Sequence, residues 1–331
     1  MSQRKKTSPI KGLIVTLFFG LLLVGASILS EKAPDKVNNF IEENLNISAT
    51  DNSNLITVNT VGVLEVPENS KLNIYYLDVG QGDCTLIVDD SKTMLIDGGN
   101  NEDGPLLVNY IQGLGISKID YVIATHPHED HIGGLDDVIN AFEIGTVYMP
   151  QVTTTTSTFQ DLITAITNKG LTLSKIEIGT HITLENAVAT VMYVDNEENE
   201  DLNANSIILN LAYGEKNFLF MGDAESDIEA KIAWTHADVL KTGHHGSSDA
   251  SSEKFLNAVK PEYAIISCGK NNDYGHPHQE LLDRLSKLNI QVYRTDSDGS
   301  IILTSDGKTI DISTAVTALD GNPKTNELIS E

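Results

Sequence analysis

The stretch Thr125-His126-Pro127-His128-Glu129-Asp130-His131-Ile132-Gly133-Gly134 directly follows an apolar run at residues 119–124. His126 and His128 stand two residues apart, so in an extended segment their side chains leave the same side of the chain. Asp130 and His131 turn towards a second position as a helix begins. A lone histidine is usually a surface or core residue, but three histidines and an aspartate so close together suit zinc first, with manganese or iron as other candidates. This histidine motif, residues 126–131, predicts two divalent metal ions at the end of a strand.

The histidine motif resembles the His-x-His-x-Asp-His signature of the metallo-β-lactamase superfamily, without a substitution. Three other pieces also resemble that family, and they occur in the expected order along the chain. They are Asp97 within the strand end 95–99, Asp223 at the end of 218–223, and His244 with His245 within 239–248. The resemblance implies that Asp97 supports the metal ligands from behind and that Asp223 bridges the two ions. It also implies that the late histidine ligand comes from His244.

A narrower resemblance covers roughly residues 71–313 and is similar to the hydrolase domain of ComEC-type DNA-uptake proteins. It is carried by the histidine motif and by segments 77–84, 203–209, 244–248, 274–278 and 293–299. That family also has a many-helix channel region. We expect the resemblance to concern the hydrolase portion alone, so the channel function is not carried over.

One departure from many enzymes of this fold concerns the histidine between the motif and the bridging aspartate. Here that interval contains His181, which reads as part of an exposed hairpin rather than as a ligand. Segment 203–206 occupies the expected place. Two alternatives stay open: an amide of this segment fills a weak coordination position, or the pair His244 and His245 compensates. We therefore predict both histidines as metal ligands.

Short β runs at 72–77, 85–88 and 93–96 alternate with amphipathic segments such as 105–114 and 135–142, which favours an α/β domain of mixed sheets covered by helices. The resemblance implies a four-layer αββα sandwich with the metals at one edge between the sheets. We predict a signal peptide or membrane anchor at 1–30, a polar linker at 31–70, the hydrolase domain at 71–321 and a disordered tail at 322–331.

The N-terminus carries Arg4, Lys5, Lys6 and Lys11 before an uncharged apolar run at 12–29, which is the pattern of an export signal. Small residues at 24–26 offer a cleavage site, while the length of the apolar run also allows a single membrane anchor. In both cases the rest of the chain crosses the membrane. We expect an extracellular protein, either secreted or anchored to the outer face of the cell membrane.

The chain has 22 basic and 47 acidic residues and a net charge of −25, with no basic run after residue 11. Such a surface repels polyanions, because sequence-independent binding of nucleic acid depends on Lys and Arg at the phosphates. Paired metal ions can still attract one phosphodiester locally. The acidity is also explained simply as an aid to solubility.

Cys84 and Cys268 are the two cysteines of the chain. A disulfide is conceivable in an exported protein, but a domain of this size can bury its own core. We therefore predict two separate buried thiols.

The paired ions predict a hydrolase in which a metal-bound hydroxide is the nucleophile, with Asp130 and Asp223 holding the second ion and orienting the water. His276 and His278 are candidates for protonating the leaving group, unless they cap a helix beginning near Gln279; lower-ranked substrate contacts are Lys241, Ser247 and Arg294. We predict a phosphodiesterase or nuclease, with phosphodiesters, phosphate esters and extracellular DNA as candidate substrates. The alternatives are a phosphate-ester hydrolase of cell-wall polymers and a non-catalytic metal-binding module, while β-lactamase activity is disfavoured. Protein partners are not predicted.

Overall fold

The computed structural model describes residues 55–197 and 199–315. The predicted signal or anchor at 1–30, most of the predicted linker and the predicted tail at 322–331 lie outside these residues. Within the described ranges, none of the helices combines the length and the apolarity that a membrane crossing requires.

The strands occur along the whole described chain. In order they are β1 (Leu72–Tyr76), β2 (Thr85–Asp89), β3 (Lys92–Ile96), β4 (Lys118–Ile123), β5 (Glu143–Tyr148), β6 (Leu173–Ser174), β7 (His181–Thr183), β8 (Val188–Tyr193), β9 (Ile208–Tyr213), β10 (Lys216–Phe220), β11 (Val239–Lys241), β12 (Tyr263–Ile266), β13 (Gln291–Arg294), β14 (Ser300–Ser305) and β15 (Ile310–Ala315). The early strands agree with the predicted runs to within one or two residues.

The helices are α1 (Gly104–Gly113), α2 (Glu129–Ile132), α3 (Leu135–Ala141), α4 (Ser157–Asn168), α5 (Ser226–Glu229), α6 (Glu253–Val259), α7 (Gln279–Lys287) and α8 (Thr295–Asp298). Helices α1 and α3 correspond to the two predicted amphipathic segments. Short 3-10 turns occur at Asn101–Asp103, Leu202–Asn205 and His244–Gly246.

Two mixed sheets form the middle of the domain. The first has the order β15-β14-β1-β2-β3-β4-β5-β6, and the second has the order β13-β12-β11-β10-β9-β8-β7. Strands β3 to β6 run parallel to one another, as do β10 to β13. The carboxyl ends of these parallel runs are where loops gather side chains.

The layers follow from the alternation of side chains on each strand. On β1, Ile74 and Tyr76 enter the core between the two sheets, whereas Tyr75 faces the core that the first sheet shares with α1, α3 and α4. A third core packs the second sheet against α6 and α7. The order is therefore helices, sheet, sheet, helices, which confirms the predicted αββα sandwich.

Residues 55–66, which fall in the predicted linker, lie against the domain. The backbone of Ile56 pairs with Lys231 and Ala233, and the backbone N–H of Leu64 donates to Gly214. Val58 is buried. Apolar residues occur every few positions in this segment and explain these contacts. They were missed in the sequence because the segment as a whole is polar.

Both cysteines are buried and free, Cys84 just before β2 and Cys268 just after β12. This confirms the prediction of two separate thiols. Burial raises the pKa of both thiols, most strongly that of Cys84.

Candidate metal centre

The histidine motif lies at the carboxyl end of β4 and is held by main-chain hydrogen bonds. The N–H of Asp83 donates to the carbonyl oxygen of Asp130 (3.0 Å), and the N–H of Gly98 donates to that of His131 (2.7 Å). At Gly133 an added Cβ would lie 2.2 Å from the backbone carbon of Asn100. The glycine after the motif is therefore required by the close approach of another backbone.

Asp97, predicted to support the metal ligands, lies behind His131. Its Oδ2 is 2.8 Å from His131 Nδ1, and its carboxylate also accepts hydrogen bonds from the N–H and hydroxyl of Thr125 at 2.8 and 2.7 Å. A carboxylate at Nδ1 orients the ring and leaves Nε2 for a metal. Nε2 of His131 points towards Asp223, 3.2 Å away.

Asp223 follows β10, and its carboxylate lies close to histidine ring nitrogens that come from both sheets. Its Oδ2 lies 3.2 Å from Nε2 of His131 and 3.4 Å from Nε2 of His245, and 3.8 Å from Nε2 of both His126 and His244. Its Oδ1 is buried and has no hydrogen-bond partner among the described residues. Four ring nitrogens around a buried carboxylate form a donor set for a divalent cation.

His244 and His245 form a turn after β11 with left-handed backbone angles, φ 48° and 52°. This turn directs both rings inwards, which a regular strand would prevent. Nε2 of His245 is 3.2 Å from Asp130 Oδ2, and Nδ1 of His244 is 2.8 Å from Glu225 Oε1. The geometry therefore favours the alternative in which the histidine pair compensates for the absent middle histidine.

Segment 203–206 contacts the centre through a hydroxyl. Ser206 Oγ lies 3.4 Å from His126 Nδ1 and accepts a hydrogen bond from the N–H of Asp223 (3.0 Å). The side-chain amide of Asn205 donates to the carbonyl oxygens of Asp195 and Glu197. The described contacts thus assign Ser206 a role in placing Asp223, which was not part of the prediction.

The pKa shifts follow from burial and from these neighbours. Burial, followed by the charge of His131, lowers the pKa of His126, so its ring is neutral and keeps a lone pair. Burial also opposes the charge of His131, but Asp223 and Asp97 outweigh it and raise the pKa of that ring. Burial would raise the pKa of Asp223, yet His131 and His245 lower it. Asp223 and Asp83 likewise outweigh burial and raise the pKa of His245, so protonated histidines balance the carboxylates of the centre.

The donor set fits divalent metal ions. Four sets of side chains place one ligand atom each within 4.8 Å of the others. They are His126 with His131 and Asp223, Asp130 with His131 and His245, Asp83 with Asp223 and His245, and Asp83 with Asp97 and His131. Nδ1 of His128 lies 3.0 Å from Nε2 of His126. Nitrogen with carboxylate oxygen is a zinc or manganese donor set. A metal ion would replace the protons that the carboxylates attract.

His276 and His278 have different surroundings. His276 faces His244 and His245, with ring centroids 5.5 and 6.3 Å away, and its Nδ1 has no hydrogen-bond partner among the described residues. Burial, then His245 and His244, lower its pKa to about 4. A neutral ring at neutral pH favours a hydrogen bond to substrate over the predicted donation of a stored proton.

His278 instead contacts protein with both ring nitrogens. Nδ1 accepts from the N–H of Ser248 (2.9 Å) and Nε2 lies 3.2 Å from the carbonyl oxygen of Tyr274. His278 also occupies the N-cap position of α7, the alternative that the sequence left open. The predicted catalytic role of His278 is therefore not what its contacts favour.

The lower-ranked substrate contacts are also committed to protein partners. Lys241 is buried and donates to Asp83 (2.8 Å), Ser247 is buried, and Arg294 forms two hydrogen bonds to Asp296 (2.9 and 2.6 Å). His181 lies on β7 with Nδ1 3.0 Å from Thr190 Oγ1, in agreement with its prediction as a hairpin residue.

Sequence reasoning did not single out Asp83, Glu225 or Ser206. Asp83 belongs to segment 77–84, whose resemblance to the ComEC-type proteins was the one feature of the sequence that could have pointed to it. For Glu225 the signal was its place two residues after Asp223. Their contacts with histidines 19 and more residues away are set by the fold.

An open groove of about 1040 Å³ adjoins the centre through Asp130. Lys270 and the exposed Tyr274 are among its lining residues. Its acidic lining residues are Asp78, Glu102, Asp103, Glu129, Asp130 and Asp296. The approach to the metal centre is therefore predominantly acidic.

Residues 77–270 match the sequence family described as the metallo-beta-lactamase superfamily. The chain belongs to this superfamily. The match includes the histidine motif, Asp223 and the pair His244 and His245, and it agrees with the four layers of the fold. The protein therefore has a metallo-hydrolase fold with a cluster of candidate metal ligands.

Three relatives of known sequence are similar to this chain. ComE operon protein 3 of Bacillus subtilis (strain 168) is 30% identical over 200 residues, 59% of this chain and 26% of that protein. Recombination protein 2 of Haemophilus influenzae is 30% identical over 232 residues, 68% of this chain and 28% of that protein. Competence protein ComA of Neisseria gonorrhoeae is 26% identical over 242 residues, which are 71% of this chain and 32% of that protein. These matches confirm the ComEC-type resemblance, and the chain spans less than a third of the length of each relative.

Solved structures are also similar to this chain. The metallo-beta-lactamase fold protein YhfI from Bacillus subtilis is 11% identical with a TM-score of 0.49, and the similarity covers 72% of this chain and 100% of YhfI. A diphosphatase from the PhnP family is 14% identical with a TM-score of 0.44, covering 74% of this chain and 100% of that one. The fold assignment itself follows from the layers and the superfamily match.

Proposed function

We propose that the protein is a metal-dependent phosphodiesterase that acts outside the cell. The observation that carries the proposal is the convergence of four ring nitrogens on Oδ2 of Asp223, beside its unpartnered Oδ1. The names of the relatives refer to competence and recombination, which supports a nucleic acid phosphodiester as the first substrate to test.

The proposed ligands are His126, His128, Asp130, His131, Asp223, His244 and His245, with zinc as the first metal to test and manganese as the second. Divalent ions held there supply Lewis-acid stabilisation of a phosphoryl oxygen and an acidified water. Asp97 holds the proton on Nδ1 of His131, so Nε2 faces the centre. The neutral ring of His276 lies beside the histidine pair and donates or accepts one hydrogen bond to the substrate.

Replacing Asp223 by Asn tests catalysis most directly, because the amide keeps the shape but removes ligand charge. We expect hydrolysis of bis(p-nitrophenyl) phosphate by the zinc- or manganese-loaded full-length chain to fall by about a hundredfold or more. The circular dichroism spectrum should be unchanged. His181→Asn serves as the control, because His181 makes no described contact with the metal centre. If the loaded wild-type chain hydrolyses no phosphodiester, phosphate ester or lactam faster than the Asp223→Asn chain, the enzyme proposal fails and a metal-binding module replaces it.

A second candidate is a phosphate-ester hydrolase that acts on cell-wall polymers. The acidic groove beside Asp130 favours it where the ester carries a cationic group such as choline, because an acidic surface attracts that cation and repels the phosphates on either side of a scissile bond in DNA. Single-stranded DNA and a choline-phosphate ester should be compared at several salt concentrations. Faster turnover of the choline ester at every salt concentration selects the second candidate, and efficient cleavage of DNA at low salt selects the first.

The extracellular location is proposed from the basic and then apolar N-terminus, which lies outside the described residues. A reporter that is active only outside the cytoplasm, fused after Glu331, should be active. Activity of a reporter that works only in the cytoplasm would reverse the proposed topology. The matched control is the same fusion with residues 2–29 deleted, which should give the opposite result.

A further inference from the structure

A buried ion pair joins the two sheets beside the metal centre. Nζ of Lys241, at the end of β11, lies 2.8 Å from Oδ2 of Asp83, in the loop between β1 and β2. The side chains are 2% and 7% exposed. Taking two charges out of water costs more free energy than their attraction commonly returns, so a buried pair is weak evidence for stability. Its position therefore calls for another explanation.

The third member of this cluster is His245. Its Nδ1 lies 3.2 Å from Oδ1 of Asp83 and donates to the carbonyl oxygen of Ser267 at 3.2 Å. Because a carbonyl oxygen can only accept, Nδ1 carries a proton, so Nε2 is the ring nitrogen left to face the centre. That Nε2 faces Asp130 and Asp223 at 3.2 and 3.4 Å.

Asp83 is itself fixed on the side of the histidine motif. Its N–H donates to the carbonyl oxygen of Asp130 and its carbonyl oxygen accepts from Gly99. Gly82 permits this approach, since an added Cβ there would lie 2.5 Å from the carbonyl oxygen of Asp130. Asp83 therefore connects a ligand of the second sheet to the main chain that carries the ligands of the first.

We infer that Asp83 positions His245 for metal binding and that Lys241 holds Asp83 in place. The inference rests on the proposed metal-dependent function. Asp83 lies within ligand reach of Asp223 and His245, but its charge is neutralised by Lys241, so this carboxylate stays beside Nδ1 and leaves the ions to Asp130 and Asp223. Neither residue touches the substrate in this arrangement, and each acts through His245.

The test replaces the pair by neutral groups of similar size, Asp83→Asn with Lys241→Met, in the full-length chain. Zinc and manganese affinities are measured by competition with a chelator, and thermal unfolding of the metal-free chain is measured in parallel. Loss of a partner behind a ligating histidine typically lowers metal affinity by about 10- to 100-fold. We expect a loss of that size for one of the ions, while the thermal midpoint is maintained because a buried pair is replaceable by uncharged groups.

The matched control is the pair Lys216 and Asp238, whose Nζ and Oδ1 are 3.0 Å apart at the other end of β10. Lys216→Met with Asp238→Asn should leave both metal affinities unchanged. In the chain that also carries His245→Gln, neutralising Asp83 and Lys241 should have no further effect on metal affinity, because coupled residues are not additive.

Wild-type metal affinity in the neutralised chain would overturn the inference and leave the proposed function standing. Should that double variant fail to fold, Asp83→Ser with Lys241→Leu, which also leaves no unpaired charge in the interior, decides the question in the same way. A wild-type chain that binds no zinc or manganese overturns the inference together with the proposed function. A wild-type chain that binds metal but hydrolyses nothing overturns only the proposed function, since the affinity comparison still stands.

Discussion

The two halves of the metal centre are built in different ways. The first-sheet half is contiguous in sequence, lies at the end of β4, and is fixed by main-chain hydrogen bonds to Gly98, Gly99 and Asp83. The second-sheet half consists of Asp223 and the turn at His244 and His245, which are separated in sequence and adopt left-handed backbone angles at the two histidines. The ligands of the first half thus share one short segment, whereas the ligands opposite them are brought together only when the sheets pack.

The supporting carboxylates differ in the same way. Asp97, behind His131, is 1% exposed, whereas the side chain of Glu225, behind His244, is 29% exposed. Charge interactions weaken where water screens them. The first-sheet half should therefore dominate metal affinity, and the second-sheet half should adjust it.

The largest expected effect comes from removing ligands of the first-sheet half. His126→Ala with His128→Ala should remove at least one metal ion per chain. The ring nitrogen of His126 near Asp223 is lost, and so is the His128 nitrogen beside it. Metal content after dialysis, measured by atomic emission, checks this. His181→Ala should retain the wild-type content. Full metal content in the double variant would refute the assignment of the histidine motif.

The next effect compares the two supporting carboxylates. Asp97→Asn should lower metal affinity by about 10- to 100-fold, as is typical for a partner of a ligating histidine, and Glu225→Gln should lower it less. Chelator competition with zinc measures both. A larger loss of metal affinity in Glu225→Gln than in Asp97→Asn would show that the exposure of the supporting carboxylate does not decide which half contributes more to metal binding.

The smallest expected effect concerns the backbone that supports the motif. Gly133→Ala should destabilise the chain by about 1–3 kcal/mol, the usual cost of overpacking, because its Cβ would meet the backbone of Asn100. Gly113→Ala is the control, since an added Cβ there has nothing within 4 Å. Urea unfolding gives both values. Equal stability of the two variants would mean that the backbone at Asn100 can shift to accommodate the added Cβ at little cost in free energy.

Sequence alone predicts the ligands of both halves, but it does not predict the side chains that hold the second-sheet ligands in place. The histidine motif, Asp97 and the strands before them are local patterns, so their roles follow from spacing and from the family resemblance. Lys241 was expected to face substrate, yet it is buried against Asp83, a residue 158 positions away. His276 and His278 look equivalent in sequence, but Nδ1 of His276 has no hydrogen-bond partner among the described residues whereas both ring nitrogens of His278 contact protein. Such differences depend on which surfaces the two sheets bring together, and no local pattern encodes that.

The strand order of the first sheet has a consequence for how the chain reaches its folded state. Strand β1 pairs with β2 on one side and with β14 on the other, where Leu72 faces Ser305. A chain that folds from its N-terminus therefore keeps one edge of β1 open until every strand of the second sheet has been made. Pairings so distant in sequence fold slowly, and an open strand edge invites aggregation. Closure of β14 onto β1 thus sets the time during which the newly made chain needs protection.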